Sequence, residues 1–209
     1  MEKVDILTPP TFKKSSVIKP RDQAIANGDW IGTFNLWIVQ SAPEPSIIYQ
    51  QRSPSSTWAP NKLDVTAGGH YQAGESIFGG LREVKEELNR IYKKDQLTYL
   101  GRKLHISPDV HGFTRHNVVD IFFVTDDSPL ESFYLEKEEV FAILSCPIKK
   151  LIRVHTEKIG FIVQALKNDG KKIDVTVTAN SFPYNWDNYH FKIALLAEKY
   201  LKGEKNLLY

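Results

Sequence analysis

The sequence predicts an α/β (α+β) domain built on a mixed β-sheet. Three observations predict it. Segments of strand composition and segments of helical periodicity are interleaved along the chain, which places helices against a sheet. Clusters of Pro, Gly, Ser and Asn separate them, with no repeat and no low-complexity tract. The 209 residues are 42% apolar and 11% aromatic, enough for the core of one domain with extensions.

Residues 1–28 carry Pro9, Pro10 and Pro20 among mixed charges and are expected to form a partly ordered lead-in. Residues 33–40 (TFNLWIVQ) and 46–52 (SIIYQQR) are β-prone strands joined by an SAPEP turn. A longer loop, SPSSTWAPN, leads to a short strand at 63–67 (LDVTA) that runs into Gly68-Gly69. Ser76 is the expected N-cap of the next helix. Ile77, Leu81, Val84 and Leu88 then form one apolar stripe at helical spacing. Asn89 occupies the position where a left-handed C-terminal residue is expected. Gly79 and Gly80 weaken the first turn by about 1 kcal/mol each relative to alanine, which suggests a close approach there. Residues 96–106 and 117–125 are strands joined by SPDVHGFTRH, and 132–140 leads into a further strand at 141–145. A helix with proline at its first position is expected over 147–155, a strand over 172–179 and an amphipathic helix over 188–201.

Composition narrows the function. The formal net charge is +2, which gives no footprint for nucleic acid or an anionic membrane. Lys149, Lys150 and Arg153 are expected to be a solvated helix face. Cys146 is the single cysteine, so neither an internal disulfide nor a cysteine-rich zinc site exists; a small buried apolar role and a reducing cytoplasm suit it. The first residues lack a signal-peptide core, and no stretch approaches the ~20 apolar residues of a membrane span. A soluble cytoplasmic protein is expected.

The run REVKEE, residues 82–87, poses the chemical question. At about 100° per residue, Glu83, Glu86 and Glu87 fall within roughly 100° of one another on a helix. The apolar stripe is centred about 130° away, so the carboxylates converge while the helix stays anchored. A solvated, charge-paired face would account for such a run alone. The preceding glycine turn with His70 changes the balance, because glycine lets backbone approach a ligand closely. Helix carboxylates beside such a turn are hard oxygen ligands, as Mg²⁺ prefers.

The stretch 69–90 resembles the Nudix box, G-x5-E-x7-R-E-U-x-E-E-x-G-U, where U is aliphatic. Gly69, Glu75, Arg82-Glu83, Val84 and Glu86-Glu87 match its positions. Only six residues, Ser76–Leu81, separate Glu75 from Arg82 where the family has seven, which puts the role of Glu75 in question. Asn89 replaces the second glycine and Arg90 the aliphatic. The flanks, GDWIGTFNLWIV, IIYQQRS and WAPNKLDVTAGGHYQAGE with YLEKEEVFAILSCPIKKL downstream, are similar to the subgroup of isopentenyl-diphosphate isomerase. The isomerase groups themselves are missing: Gly68 stands at the nucleophilic cysteine, the run Trp30-Ile31-Gly32-Thr33-Phe34-Asn35 that matches the N-terminal histidine pattern holds neither histidine, and the later glutamate pair would fall near His116 and Val118.

The resemblance implies a Nudix domain at 29–160, its mixed β-sheet sandwiched between helices; a lead-in at 1–28 and a C-terminal strand/helix extension at 161–209 packed on the same domain are expected around it. It implies Mg²⁺- or Mn²⁺-dependent hydrolysis of a diphosphate, with a non-catalytic ligand-binding module or a prenyl-diphosphate isomerase as alternatives. Carried over, Glu83, Glu86, Glu87 and Arg82 are catalytic, and Glu83, Glu86, Glu87 and the Gly69 carbonyl hold metal. Glu138 and Glu139 are further candidates. Arg52, His70 and Arg115 are candidate substrate contacts, while Trp58, Phe113 and Tyr184 are assigned to packing. The partner expected is a small-molecule diphosphate, with no nucleic acid or membrane and with a homodimer open.

Overall fold

A hairpin of β1 (Lys3–Thr8) and β2 (Lys13–Pro20) leads through a short helix, α1 (Arg21–Ala26), into the long strand β3 (Trp30–Gln40). Strands β4 (Ser46–Arg52), β5 (Leu63–Asp64) and β6 (Ala67–His70) follow, then helix α2 (Leu81–Leu88). A second hairpin, β7 (Thr98–Pro108) and β8 (Thr114–Thr125), precedes β9 (Val140–Pro147) and helix α3 (Ile148–Thr156). The chain closes with β10 (Phe161–Lys167), β11 (Lys172–Val177) and helix α4 (Tyr189–Leu201). The structure is a computed structural model and describes residues 2–183 and 186–209.

The strands form one mixed sheet organised by β3. On one edge β3 runs parallel to β8, from Trp30 opposite His116 to Val39 opposite Thr125. Its other edge is shared by three antiparallel partners: β1 at its start, β6 at its middle and β4 at its end. From β4 the sheet continues through β9 and β10 to β11. Strand alternation then builds a core on each face. Phe34, Leu36 and Ile38 pack with Val84 and Leu88 of α2. Trp37 and Val39 pack on the opposite side with Leu151 of α3 and Ile193 of α4. The sheet is therefore sandwiched between helices, as the resemblance implies.

Several local differences have physical causes. Residues 3–26 are ordered, because Val4, Ala24 and Ile25 bury a small core with Ile31 that the flanking prolines mask in the sequence. The strand expected over 63–67 breaks after Asp64. Thr66 accepts from the Ile38 N–H at 3.0 Å and donates to the Ile48 carbonyl, so its hydroxyl joins β3 to β4. Helix α2 starts at Leu81, with Gly80 as its N-cap, not at Ser76. The Ser76 hydroxyl accepts from the Phe78 N–H at 3.3 Å and serves a turn instead. Asn89 closes α2 in the left-handed conformation, as expected, at φ 49°. Strand β10 has no counterpart in the sequence reading. Its residues pair with β11 and, at their C-terminal end, with β9.

Candidate active site

A cleft of about 620 Å³ opens beside β6 and the start of α2. Glu83 and Glu87 of α2 line it together with Gly68, Gly69, Glu138 and Glu139. Glu83 lies flat on Gly69: a Cβ added there would stand under 3.0 Å from the Glu83 carboxyl group. The turn carrying Glu138 and Glu139 is tied to α2, because the Glu136 N–H donates to the Glu87 carbonyl at 2.9 Å.

Arg82 gathers the carboxylates of the helix. Its Nη1 donates to Glu86 Oε2 at 2.7 Å and its Nη2 to Glu83 Oε1 at 2.9 Å. Its Nε reaches Glu75 Oε1 at 3.4 Å, so the shortened segment still brings Glu75 to the arginine. The tight turn at Gly79, packed on the Glu75 side chain, makes this possible. Glu86 is more than half exposed and does not line the cleft, whereas Glu83 and Glu87 do. Among the described residues, no three acidic, histidine or cysteine side chains are grouped closely enough to enclose a cation as they stand. The donor chemistry nevertheless fits one. Glu87 Oε2 is buried without a hydrogen-bond partner. Burial, with Glu139 and Glu83 nearby, holds the Glu87 carboxyl well above the usual range. Burial pushes Glu83 up to about 7, against the pull of Arg82. Carboxylates placed this way gain from positive charge between them.

The expected substrate contacts meet at the rest of the cleft. His70 lies on β6 with Nε2 buried and unpartnered. Burial, with Arg21, Arg115 and Arg52 near, pushes its imidazole down to about 3, so it is neutral at pH 7. Arg52 donates from Nε to the Trp58 carbonyl at 2.9 Å and stands 5.2 Å from the Trp58 ring centre. Arg115 donates to Thr57 Oγ1 at 2.9 Å. Trp58 and Phe113 line the cleft as well, and Trp58 packs edge-on against His105. Tyr184 lies outside the described residues.

Sequence reasoning missed the groups that topology brings in from afar. Arg21 enters from α1, and Asp64, Lys103 and Tyr189 enter from β5, β7 and α4. The Tyr189 hydroxyl accepts from Asn35 Nδ2 and from Trp37 Nε1, both at 2.9 Å. The Lys103 ammonium stands 3.8 Å from the Tyr189 ring centre and pairs with Asp187 at 3.2 Å. The only available signal was an inward-facing Lys103 in an otherwise alternating strand. Cys146 lies buried in the core on the α3 and α4 side and does not line the cleft.

The NUDIX domain family matches residues 33–164. An uncharacterized Nudix hydrolase of Clostridium acetobutylicum is 29% identical over 195 residues, covering 87% of this chain and 91% of its own. Nudix hydrolase 3 of Arabidopsis thaliana is 29% identical over 153 residues, 71% of this chain and 20% of that longer protein. A Deinococcus radiodurans structure superposes with a TM-score of 0.57 at 20% identity, covering 75% of this chain and 90% of that one. The glycine turn and the carboxylate helix lie inside the matched segment, and the chain belongs to the Nudix hydrolase family.

Proposed function

We propose that this chain hydrolyses a diphosphate bond in a nucleoside-diphosphate-linked or related substrate, with Mg²⁺ or Mn²⁺. The observation that carries this reading is the buried, unpartnered Glu87 Oε2 beside Glu83 and Glu139 in a cleft that arginines also line. Glu83, Glu87 and Gly69, which meet at the cleft, would hold the metal, and Glu86 would join them on leaving Arg82. A bound divalent cation supplies charge against phosphate oxygens and a water of lowered pKa. Arg82 fixes the carboxylates through charge-assisted bonds. Arg52, Arg115 and the neutral His70 bind and orient the substrate. Glu139 or Glu138 accepts the proton of the attacking water. That water adds to one phosphorus, the bridging P–O bond breaks, and the departing phosphate takes the electron pair.

The missing isomerase groups and the polar lining of the cleft favour hydrolysis over prenyl isomerisation. The reach of Glu75 to Arg82 supports an intact box rather than a purely binding module. A screen of diphosphates with Mg²⁺ and Mn²⁺ tests the assignment. Glu86→Gln and Glu87→Gln should each lower kcat by about a hundredfold or more, in line with losses at charge-stabilising sites. Unchanged turnover in both variants would remove the helix from the mechanism.

A further inference from the structure

The box of this chain is one residue short, yet Glu75 still reaches Arg82. Segment 71–80, between β6 and α2, is fastened firmly on its inner side. The Tyr71 hydroxyl donates to the Ile77 carbonyl at 3.0 Å, and the Phe78 ring centre stands 5.8 Å from that of Phe122. Its outer half has no such anchors. Gln72, Gly74 and Ser76 are exposed, and Gly74 takes the left-handed conformation at φ 87°. A surface turn of this kind keeps one conformation only where its backbone is tied down.

The ties come from the N-terminal hairpin, which lies outside the family-matched segment. The Lys3 carbonyl of β1 accepts from the Ala73 N–H at 2.8 Å. Asp5 Oδ2 accepts from the Gly74 N–H at 2.9 Å. Lys14 Nζ of β2 donates to the Glu75 carbonyl at 2.6 Å and pairs with Asp5 at 2.6 Å. Two strands thus grip the backbone of three successive residues. The Glu75 side chain follows from that grip: Oε2 accepts from the Gln72 N–H at 2.8 Å, and Oε1 meets Arg82 Nε. Arg82 passes the constraint on to Glu83 and Glu86. A guanidinium released from Glu75 would turn fully onto those two carboxylates and compete there with a cation. Lys14 is nearly half exposed, and an exposed ion pair adds little to stability, so the grip on the turn is its distinctive contribution.

We propose that Asp5 and Lys14 are positioning residues: they brace the turn so that Glu75 meets Arg82 although the box is one residue short, and so keep the carboxylates of α2 set for a cation. This deepens the hydrolase reading, on which its activity arm rests. Mn²⁺ is titrated into the full chain and followed by electron paramagnetic resonance, and amide exchange over residues 72–83 is read in the metal-free protein. Asp5→Asn and Lys14→Met should each speed exchange over 72–76 and weaken Mn²⁺ binding about tenfold, the usual loss when a contact supporting a ligand is removed. With a diphosphate that the wild type hydrolyses, kcat should fall by a similar factor while KM stays within about twofold. Lys14→Arg should retain most of both, because it keeps a cationic donor at the Glu75 carbonyl. Lys171→Met, on the exposed turn between β10 and β11, should change nothing. Melting curves close to the wild type confirm that each variant is folded. Exchange and Mn²⁺ affinity unaltered in both Asp5→Asn and Lys14→Met overturn the brace even if diphosphates are hydrolysed. Faster exchange alone, with Mn²⁺ affinity and kcat unchanged, makes the contact purely structural and overturns the positioning role as well. Lys14-dependent Mn²⁺ binding by a chain that turns over no diphosphate upholds the brace and overturns the hydrolase reading instead. A wild type that binds no Mn²⁺ overturns both.

Discussion

At Gly80 a methyl group has nowhere to go. A Cβ there would stand under 3.0 Å from several atoms of the buried Phe34 side chain, just where α2 begins. Gly80→Ala should therefore destabilise the protein by about 1–3 kcal/mol, the usual cost of overpacking, as measured by urea unfolding. The apparent helix weakness of Gly79-Gly80 in the sequence is the space that lets α2 dock on β3 and lets Glu75 turn back to Arg82. Glu87 shows the opposite compromise. Its carboxylate is buried beside like charges and lacks one hydrogen-bond partner. Glu87→Gln should leave the metal-free protein at pH 8 as stable as the wild type or more so by thermal melting, although it suppresses turnover. A drop of several degrees would mean that the carboxylate is needed for packing as well. Much of this site was legible in the sequence. The box pattern located Glu83, Glu87 and Gly69, but helical geometry alone could not show that Arg82 would hold Glu86 at the rim.

At the scale of elements, α4 carries the clearest pH signature. His190 is fully enclosed among Phe182, Tyr49 and Trp37, with neither ring nitrogen hydrogen-bonded. Burial, with Lys103 and His155 near, holds it well below the usual imidazole range, so it folds neutral. In the unfolded chain it protonates near pH 6.5, where the unfolded state binds the extra proton. Its contribution is thus fully present above about pH 6.5 and is lost as pH falls below it. The stability slope approaches about 1.4 kcal/mol per pH unit for this one group. His190→Phe should flatten the stability profile between pH 6.5 and 5 in urea titrations; an unaltered slope would assign it elsewhere. Elements with internal patterns were readable in advance: β4 spans the residues expected of it, and α4 starts one residue later than expected. The start of α2 and the break after β5 were not, because tertiary contacts to Phe34 and Ile48 decide them.

At the scale of the whole molecule, the two flanks of the family segment play unequal parts. Strand β1 and α1 bury a small core of their own with β3, whereas α4 contributes Tyr189, Ile193, Ala194 and Ala197 to the larger one. Removing residues 188–209 should abolish cooperative unfolding in circular dichroism. Removing residues 2–26 should lower Tm by several degrees and leave a cooperative transition. The opposite ranking would mean that the N-terminal hairpin, rather than α4, completes the core that unfolds cooperatively. Neither flank's part in the cleft could be read from order along the chain, since Arg21 and Tyr189 meet there only through the sheet topology. The same larger core holds the single thiol, Cys146, fully shielded on β9 between the sheet and helices. A thiol reagent will therefore ignore the native molecule and react only when the strand is uncovered. The rate of that reaction, read at increasing reagent concentration, becomes a clock for how often the sheet and its helices part, with no label to introduce and no other sulfhydryl to confuse it.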